Sequence, residues 1–517
     1  MHSKARVPTL AFLFPRICMI VRSQGITTMA LHLHNTLSGR KEPFRPNSNT
    51  VKMYCCGVTP YSNTHIGHSR TFFSYDLLYR TLVDQNYDVC WARNITDVDD
   101  KIIKKANDEG VSCTDIVNRY VGEQDEMLMH FKLHRPQHEP KVTENIPQII
   151  ALIEKLVERG FAYTSNSGVY FRVRKFSGYG KLSKNNIDDL RKGVRIEVDE
   201  SKEDALDFAL WKFAKPGEIK WASPWGEGRP GWHIECSAMI HALFGDTIDI
   251  HMGGRDLIFP HHEAEIAQSE GATGQPFSSF WLHAGMVTLY GEKMSKSTNH
   301  YVSIADFLGK YPQEVLRLTF LSVSYSQPLD FTMELADENF KKLAKIYRFV
   351  ELLDRYAVEQ WSEATQSTLE VLGSLDHLTQ KMRDALADDL NSAGAMGVFF
   401  EAVRNINAGL ASMEKAGRSL NKLDVERLQN NWPVVKAWLT NTLGLVQRTP
   451  SEFFSSLAQY RLGGQLSPDD IERKLADRHT ARALKDWAAA DKIRDELLAQ
   501  GVVIQDTPRG TRWTLQI

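Results

Sequence analysis

Val51-Lys52-Met53-Tyr54-Cys55-Cys56-Gly57, followed shortly by His65-Ile66-Gly67-His68, is the part of this chain that decides its fold. The first segment is apolar and β-prone, and Gly57 ends it. From Ile66 to Val83 the apolar residues recur at helical spacing, with Phe72, Leu77, Leu78 and Leu82 expected to face inward. Strand, turn and helix in that order open an α/β sheet. The spacing puts His65 and His68 at the N-terminus of the helix, where unpaired backbone N–H groups and the helix dipole favour anions. Gly67 lets such a ligand approach the backbone closely. Imidazoles there can stabilise negative charge as it develops on a phosphate. The tetrapeptide carries little weight alone, because 17 histidines make a chance His-x-x-His unsurprising.

Weight comes from a second segment far downstream, Tyr290-Gly291-Glu292-Lys293-Met294-Ser295-Lys296-Ser297-Thr298-Asn299. It reads as a Gly-, Ser- and Asn-containing loop between apolar stretches. Lys293 and Lys296 stand one short turn apart and can clamp the β- and γ-phosphates of a nucleotide. Taken singly, this too is an ordinary solvated basic loop. In this order, the two segments resemble the paired signatures of class I aminoacyl-tRNA synthetases. The resemblance implies a Rossmann-like α/β catalytic domain and ATP, with Mg2+, as a substrate. It places His65, Gly67, His68, Lys293, Ser295 and Lys296 at the nucleotide, with His65, His68, Lys293 and Lys296 acting in catalysis.

A third group of residues has the character of metal ligands. Zinc is usually held by four N, S or O donors drawn from a few elements. His261 and Glu265, four apart, would project from one face of a helix. Cys236 lies in Gly231-Trp232-His233-Ile234-Glu235-Cys236, a turn leading into a helix, and Cys56 ends the first strand. Such ligands would converge at the carboxyl ends of parallel strands. Spacing alone leaves His233, His251 and His262 as alternatives, and a single free cysteine is more often a small buried hydrophobe.

The stretches Tyr54 to Thr59, Arg93-Asn94-Ile95-Thr96-Asp97-Val98-Asp99-Asp100-Lys101-Ile102, Gly231 to Met239 and Asp249 to Glu263 resemble cysteinyl-tRNA synthetases, and the likeness runs from about residue 30 to the C-terminus. It implies zinc, one ion per chain, on Cys56, Cys236, His261 and Glu265. It implies that Thr59, Thr96 and Trp232 touch the substrate. This chain has Arg255 where a serine is common and Met252 where a glycine is common, and neither change removes a ligand. Cys55 adds a second thiol beside Cys56. A metal suits the choice of cysteine over its neighbours in size, because size alone separates substrates differing by one methylene by only about 1–3 kcal/mol. A soft thiolate binds zinc far better than a hydroxyl does. No editing domain is then needed, and no large editing insertion is evident.

Composition sets the outer limits. A chain of 517 residues is long enough for three or four domains. Six cysteines without framework spacing argue against a disulfide scaffold. A net charge of −2 gives no global nucleic-acid signal, although local patches can still bind RNA. No apolar run is long enough to span a membrane. Up to Lys41 there is no Asp or Glu, while Lys4, Arg6, Arg16, Arg22, Arg40 and Lys41 are basic. Residues 1–41 thus resemble a mitochondrial transit peptide, implying the mitochondrial matrix, with a secretory signal as the rival and Met29 as a start for a shorter cytosolic form.

The remaining organisation is expected to be a Rossmann first half over 42–145, an insertion over 146–220, the second half over 221–300 and a stem-contact segment over 301–335. A helical bundle over 336–450 follows, with Phe340, Leu343, Ile346, Phe349, Leu352 and Leu353 inward, and the resemblance assigns it to tRNA. Residues 460–517 form a small mixed α/β domain. There Arg482, Lys485, Trp487, Lys492 and Arg494 cluster in one expected helix before a β-prone tail. Basic and aromatic residues interleaved suit splayed RNA bases. The resemblance puts Arg482, Trp487, Asp491, Arg494 and Asp506 at the anticodon. The implied partners are tRNA(Cys), L-cysteine and ATP, with no membrane, and a monomer is expected. A small-molecule cysteine ligase would not need the bundle and tail, and a non-catalytic RNA-binding relative would have lost a clamp lysine or a zinc ligand.

Overall fold

The computed structural model describes residues 29–186, 201–295, 298–358, 361, 368–461, 468–507 and 510–515. The chain starts with a hairpin, β1 (His32–Asn35) and β2 (Arg40–Pro43). Then come β3 (Thr50–Cys55), α1 (Ile66–Asp84), β4 (Asp88–Arg93), α2 (Asp100–Glu109) and α3 (Cys113–His130). The insertion holds α4 (Ile146–Glu158) and strands β5 (Ala162–Thr164), β6 (Gly168–Phe171), β7 (Phe208–Phe213) and β8 (Gly228–Pro230). The Rossmann-like part resumes with α5 (Ile234–Phe244), β9 (Ile248–Gly254), α6 (Glu263–Thr273) and β10 (Ser278–Ala284).

The central sheet is parallel, in the order β10-β9-β3-β4. From β3 the chain moves outward to β4, and from β9 it moves the other way to β10. The crevice beyond the carboxyl ends of β3 and β9 is therefore a topological switch point, where open α/β sheets bind ligands. α1 forms as its spacing predicts: Phe72, Leu77, Leu78 and Leu82 are all buried. Its N-cap is His65, whose ring accepts from the backbone N–H groups of Gly67 and His68.

Three sequence-based boundaries shift. The expected leader, 1–41, overlaps the hairpin: Leu31 and Leu33 are buried, and Lys41 pairs with Asp388. From about residue 30 the segment belongs to the fold, while residues 1–28 lie outside the described residues. The insertion runs past 220, because β8 completes its four-stranded antiparallel sheet, β5-β6-β7-β8. The C-terminal cluster spans two helices rather than one.

After β10, strands β11 (Val287–Leu289) and β12 (Glu292–Lys293) form a short hairpin. Helices α7 (Ile304–Leu308) and α8 (Gln313–Leu321) lead to β13 (Leu329–Phe331), which pairs parallel to β11. The bundle is α9 (Met333–Tyr356), α10 (Leu375–Ala387), α11 (Ser392–Lys415) and α12 (Lys422–Asn441). The expected inward residues of α9 are buried except Leu352, which is half-buried. Asn391 caps α11 by accepting from the Gly394 N–H. Helix α13 (Pro450–Arg461) leads to α14 (Pro468–Ala483), α15 (Trp487–Ala499) and the hairpin of β14 (Val502–Thr507) and β15 (Gly510–Leu515). The turn between α14 and α15 has Lys485 at φ 61 and Asp486 as the next N-cap. No helix among the described residues is long and apolar enough to cross a membrane.

Candidate active site

One cleft of about 330 Å³ lies over the switch point. Its walls include Cys56, Thr59, His65, Gly67, His68, Thr96, Trp232, Cys236, His261 and Lys293. The structure therefore brings expected nucleotide, substrate and metal residues together in one place, while Glu265 lies buried behind the wall beside the other three expected donors. Ser295 follows on the same loop, its backbone bonded both ways to His300. Lys296 lies outside the described residues.

The two nucleotide segments are stitched together. The Ile66 N–H donates to the Val302 carbonyl at 3.1 Å, so the chain just beyond the second segment is pinned to the start of α1. The rings of His65 and His68 stack at 3.8 Å. Nδ1 of His65 accepts the Gly67 N–H at 3.1 Å, so the proton of the neutral ring sits on Nε2. A Cβ on Gly67 would lie 2.9 Å from the His65 ring and 3.6 Å from the Met294 methyl. Glycine is thus needed here for close packing as well as for ligand approach.

The metal-type residues converge as expected from the chain order of their elements. Single donor atoms of Cys56, Cys236, His261 and Glu265 all lie within 4.8 Å of one another, and all four residues are buried. The Cys56 and Cys236 sulfurs are 3.9 Å apart, and His261 Nε2 is 2.9 Å from Glu265 Oε1. The last pair keeps its four-residue spacing although His261 precedes α6, in a wider turn after the cis bond at Pro260. Burial alone would neutralise these groups. His251 and His261 nevertheless hold the Glu265 carboxyl down to about 2. Against burial, Glu265 and Cys236 raise His261 to about 10. The hydrogen bond from Cys56 lowers Cys236 to about 6.

A second set, Cys56, His251, His262 and Glu265, is equally close. It sits deeper: Cys56, Cys236 and His261 line the cleft, whereas His251 and His262 do not. His262 stands 3.3 Å from Cys56 on one side and 2.8 Å from His283 on the other, and His283 in turn meets the Thr36 hydroxyl. His233 backs His261, with their Nδ1 atoms 3.1 Å apart. The three alternative histidines therefore form a layer behind the cleft-facing donors, the usual place for groups that orient ligands. Cys55 points the other way. Successive strand residues face opposite sides, so Cys55 joins the core with Met53, and Cys56 faces Tyr54's side.

Trp232 is part-exposed and stacks on His261 at 4.3 Å. Thr96 is buried and receives a hydrogen bond from Asn94, while Asn94 accepts from the Gly57 N–H at 2.8 Å. The sequence reading gave Asn94 and His283 no role, whereas it held His262 open as an alternative ligand. A lone His283 inside an apolar strand carries no local signal.

The C-terminal candidates fall on one small domain. Trp487, first in α15, is 59% exposed. Asp506 accepts from Arg482 and from Arg478, and Arg494 pairs with Asp491. The charged candidates are thus paired among themselves, leaving the indole as the open surface.

Residues 43–341 match the family model of the class I tRNA synthetase (C) catalytic domain, 381–447 the DALR domain, and 467–513 the cysteinyl-tRNA ligase anticodon binding domain. A cysteine–tRNA ligase of Geobacter sp. strain M21 is 43% identical over 495 residues, covering 94% of this chain and 100% of the relative. One from Nitratidesulfovibrio vulgaris Hildenborough is 45% identical over 489 residues, 93% and 99% of the two chains. A solved methionyl-tRNA synthetase of Mycobacterium tuberculosis in complex with methionyl-adenylate superposes with a TM-score of 0.58 over 82% of this chain and 95% of that one. At 16% identity it speaks to the fold alone. Taken with the cleft and its residues, the extent of these matches means that the chain belongs to the cysteine–tRNA ligase family.

Proposed function

We propose that this chain activates L-cysteine with ATP to cysteinyl-adenylate, transfers it to tRNA(Cys), and uses zinc to choose the substrate thiol. The observation that carries the reading is that three donors of a Cys-Cys-His-Glu set, Cys56, Cys236 and His261, line the same cleft as His65, His68 and Lys293, with Glu265 buried against them. The donor set fits zinc: two sulfurs, one imidazole and one carboxylate match its preferred ligands in number and kind. Cys56, Cys236, His261 and Glu265 would hold it. When bound, zinc favours a deprotonated sulfur over a hydroxyl, which separates cysteine from serine.

The chain's own residues do the remaining work. His65 offers its Nε2 proton to charge forming on the α-phosphate, because its Nδ1 is occupied in capping α1. Lys293 faces it from the β11–β12 hairpin and stabilises the departing pyrophosphate, with Mg2+ and Lys296 as expected companions. Asn94 fixes Gly57 and Thr96 on the wall beside the substrate. Trp232 covers His261 and limits water at the donor set.

The decisive test is amino-acid-dependent ATP–pyrophosphate exchange with each amino acid, combined with elemental analysis. Exchange stimulated by cysteine alone, in protein carrying stoichiometric zinc, is expected. Active protein free of zinc would overturn the selection mechanism.

Trp487 and its neighbours read the anticodon in this proposal, and the chain works as a monomer. The acid-poor segment before the hairpin directs it to mitochondria. A fluorescent protein fused after residues 1–30 should enter the matrix, and a fusion beginning at Met29 should stay outside.

A further inference from the structure

We propose that the far end of α1 is a positioning joint for the transfer step, with Asp84 and Arg383 as its principal pair. The proposal rests on the ligase reading above.

Helix α1 has 19 residues and is roughly 28 Å long. Its first turn carries His68 and is capped by His65, at the cleft. Its last residue is Asp84, a carboxylate where the helix dipole disfavours one. What holds it there comes from the bundle. Arg383 of α10 donates Nε to Oδ2 and Nη2 to Oδ1, each at 3.0 Å. Trp438 of α12 donates Nε1 to Oδ2, also at 3.0 Å. A two-pronged guanidinium and an indole on one carboxylate set an orientation as well as a distance. Two turns closer to the cleft, buried Asp76 accepts from Arg80 at 2.7 Å and Arg317 at 2.9 Å. Arg80 also donates to the Asn441 carbonyl at the end of α12. The helix that bears the catalytic histidines is thus fastened to the bundle at two heights.

Activation needs only the cleft. Transfer also needs the tRNA end delivered into it from a body held by the bundle and the C-terminal domain. A small tilt at the joint, carried along roughly 28 Å of helix, shifts the reacting groups by ångströms relative to that end. A misplacement of about 1 Å costs on the order of 10²-fold in rate. Asp84 and Arg383 therefore bear on transfer and not on activation.

The test uses the full chain with Asp84→Asn and, separately, Arg383→Lys. The lysine keeps the charge and loses the two-pronged geometry. Three quantities are read: cysteine-dependent pyrophosphate exchange, single-turnover charging of tRNA(Cys), and the thermal midpoint. Each variant is expected to keep exchange at the wild-type rate and to lose roughly 10- to 100-fold in charging. The double variant should be no worse than the worse single, since both break one joint. Charging at the wild-type rate in both variants would overturn the proposal. So would exchange and charging falling in parallel with the midpoint, which would make the joint a general support of the fold. Absence of cysteine-dependent exchange in the wild-type chain would instead overturn the ligase reading.

Discussion

Cys55 and Cys56 are adjacent, both buried, and opposite in prospects. Burial raises the thiol pKa of each, but only Cys56 has a thiol, three imidazoles and a carboxylate gathered near its sulfur. Replacing Cys236 or His261 with Ala should remove bound zinc and cysteine activation together, as elemental analysis and exchange assays on the same samples would show. Cys55→Ala should keep both and cost roughly 1 kcal/mol of stability for a lost core contact. Loss of zinc from the Cys55 variant would move the ligand set to the wrong face of the strand. Lys293 lines the same cleft, and its role is charge. Lys293→Ala should slow exchange by on the order of 10²-fold, with little change in the cysteine concentration needed. Lys296→Ala is expected to behave similarly. An unchanged exchange rate in both would place pyrophosphate stabilisation elsewhere.

Among the elements, α1 shows what spacing reveals and what it hides. Its apolar face and the position of His65 at its N-terminus were legible because both depend on nearby residues, whereas the use of the His65 ring as the cap was not read. Asp76 was not: it sits on the buried side of the helix as a fully buried carboxylate, which makes sense only beside Arg317 and His134 from distant segments. Burial alone would raise its pKa. Arg317, Arg80 and His134 instead hold it well below the usual carboxylate range. Its stabilising share is therefore complete above about pH 4 and fades only as the pH falls below that. Asp76→Ala would leave two buried guanidiniums without a counter-charge and should cost about 3–5 kcal/mol, measured by denaturant unfolding at neutral pH. A cost no larger than that of a surface substitution would show that water compensates the arginines. The β1–β2 hairpin was hidden for a related reason. Its acid-poor composition continues that of the preceding segment, and no local signal tells that Leu31 and Leu33 are buried in the core. A chain beginning at Met29 should match the stability of the full chain, whereas one beginning at residue 45 should unfold at markedly lower temperature. The break between α14 and α15 was missed because Leu484-Lys485-Asp486 contains neither Gly nor Pro, and Lys485 adopts the left-handed backbone that glycine usually supplies.

At the scale of the whole molecule, two chemistries are separated along one chain. Every described residue assigned to activation precedes residue 300, and the part most suited to reading RNA begins near 468. Deleting residues from about 460 onward should therefore leave cysteine-dependent exchange nearly intact, since none of the described residues lining the cleft comes from the last domain. Charging of tRNA(Cys) should fall sharply. Within that domain the structure narrows the choice of residue. Arg482 and Arg494 already have carboxylate partners, so replacing either disturbs the domain as well as any RNA contact. Trp487 is different: it is mostly exposed, so Trp487→Ala removes little packing and should leave the thermal midpoint where it was. If its ring stacks on a base, the same change should weaken tRNA(Cys) binding by roughly 1–3 kcal/mol, with exchange untouched. Equal charging by the truncated and full chains would mean that the tail is structural and that the bundle alone selects the tRNA.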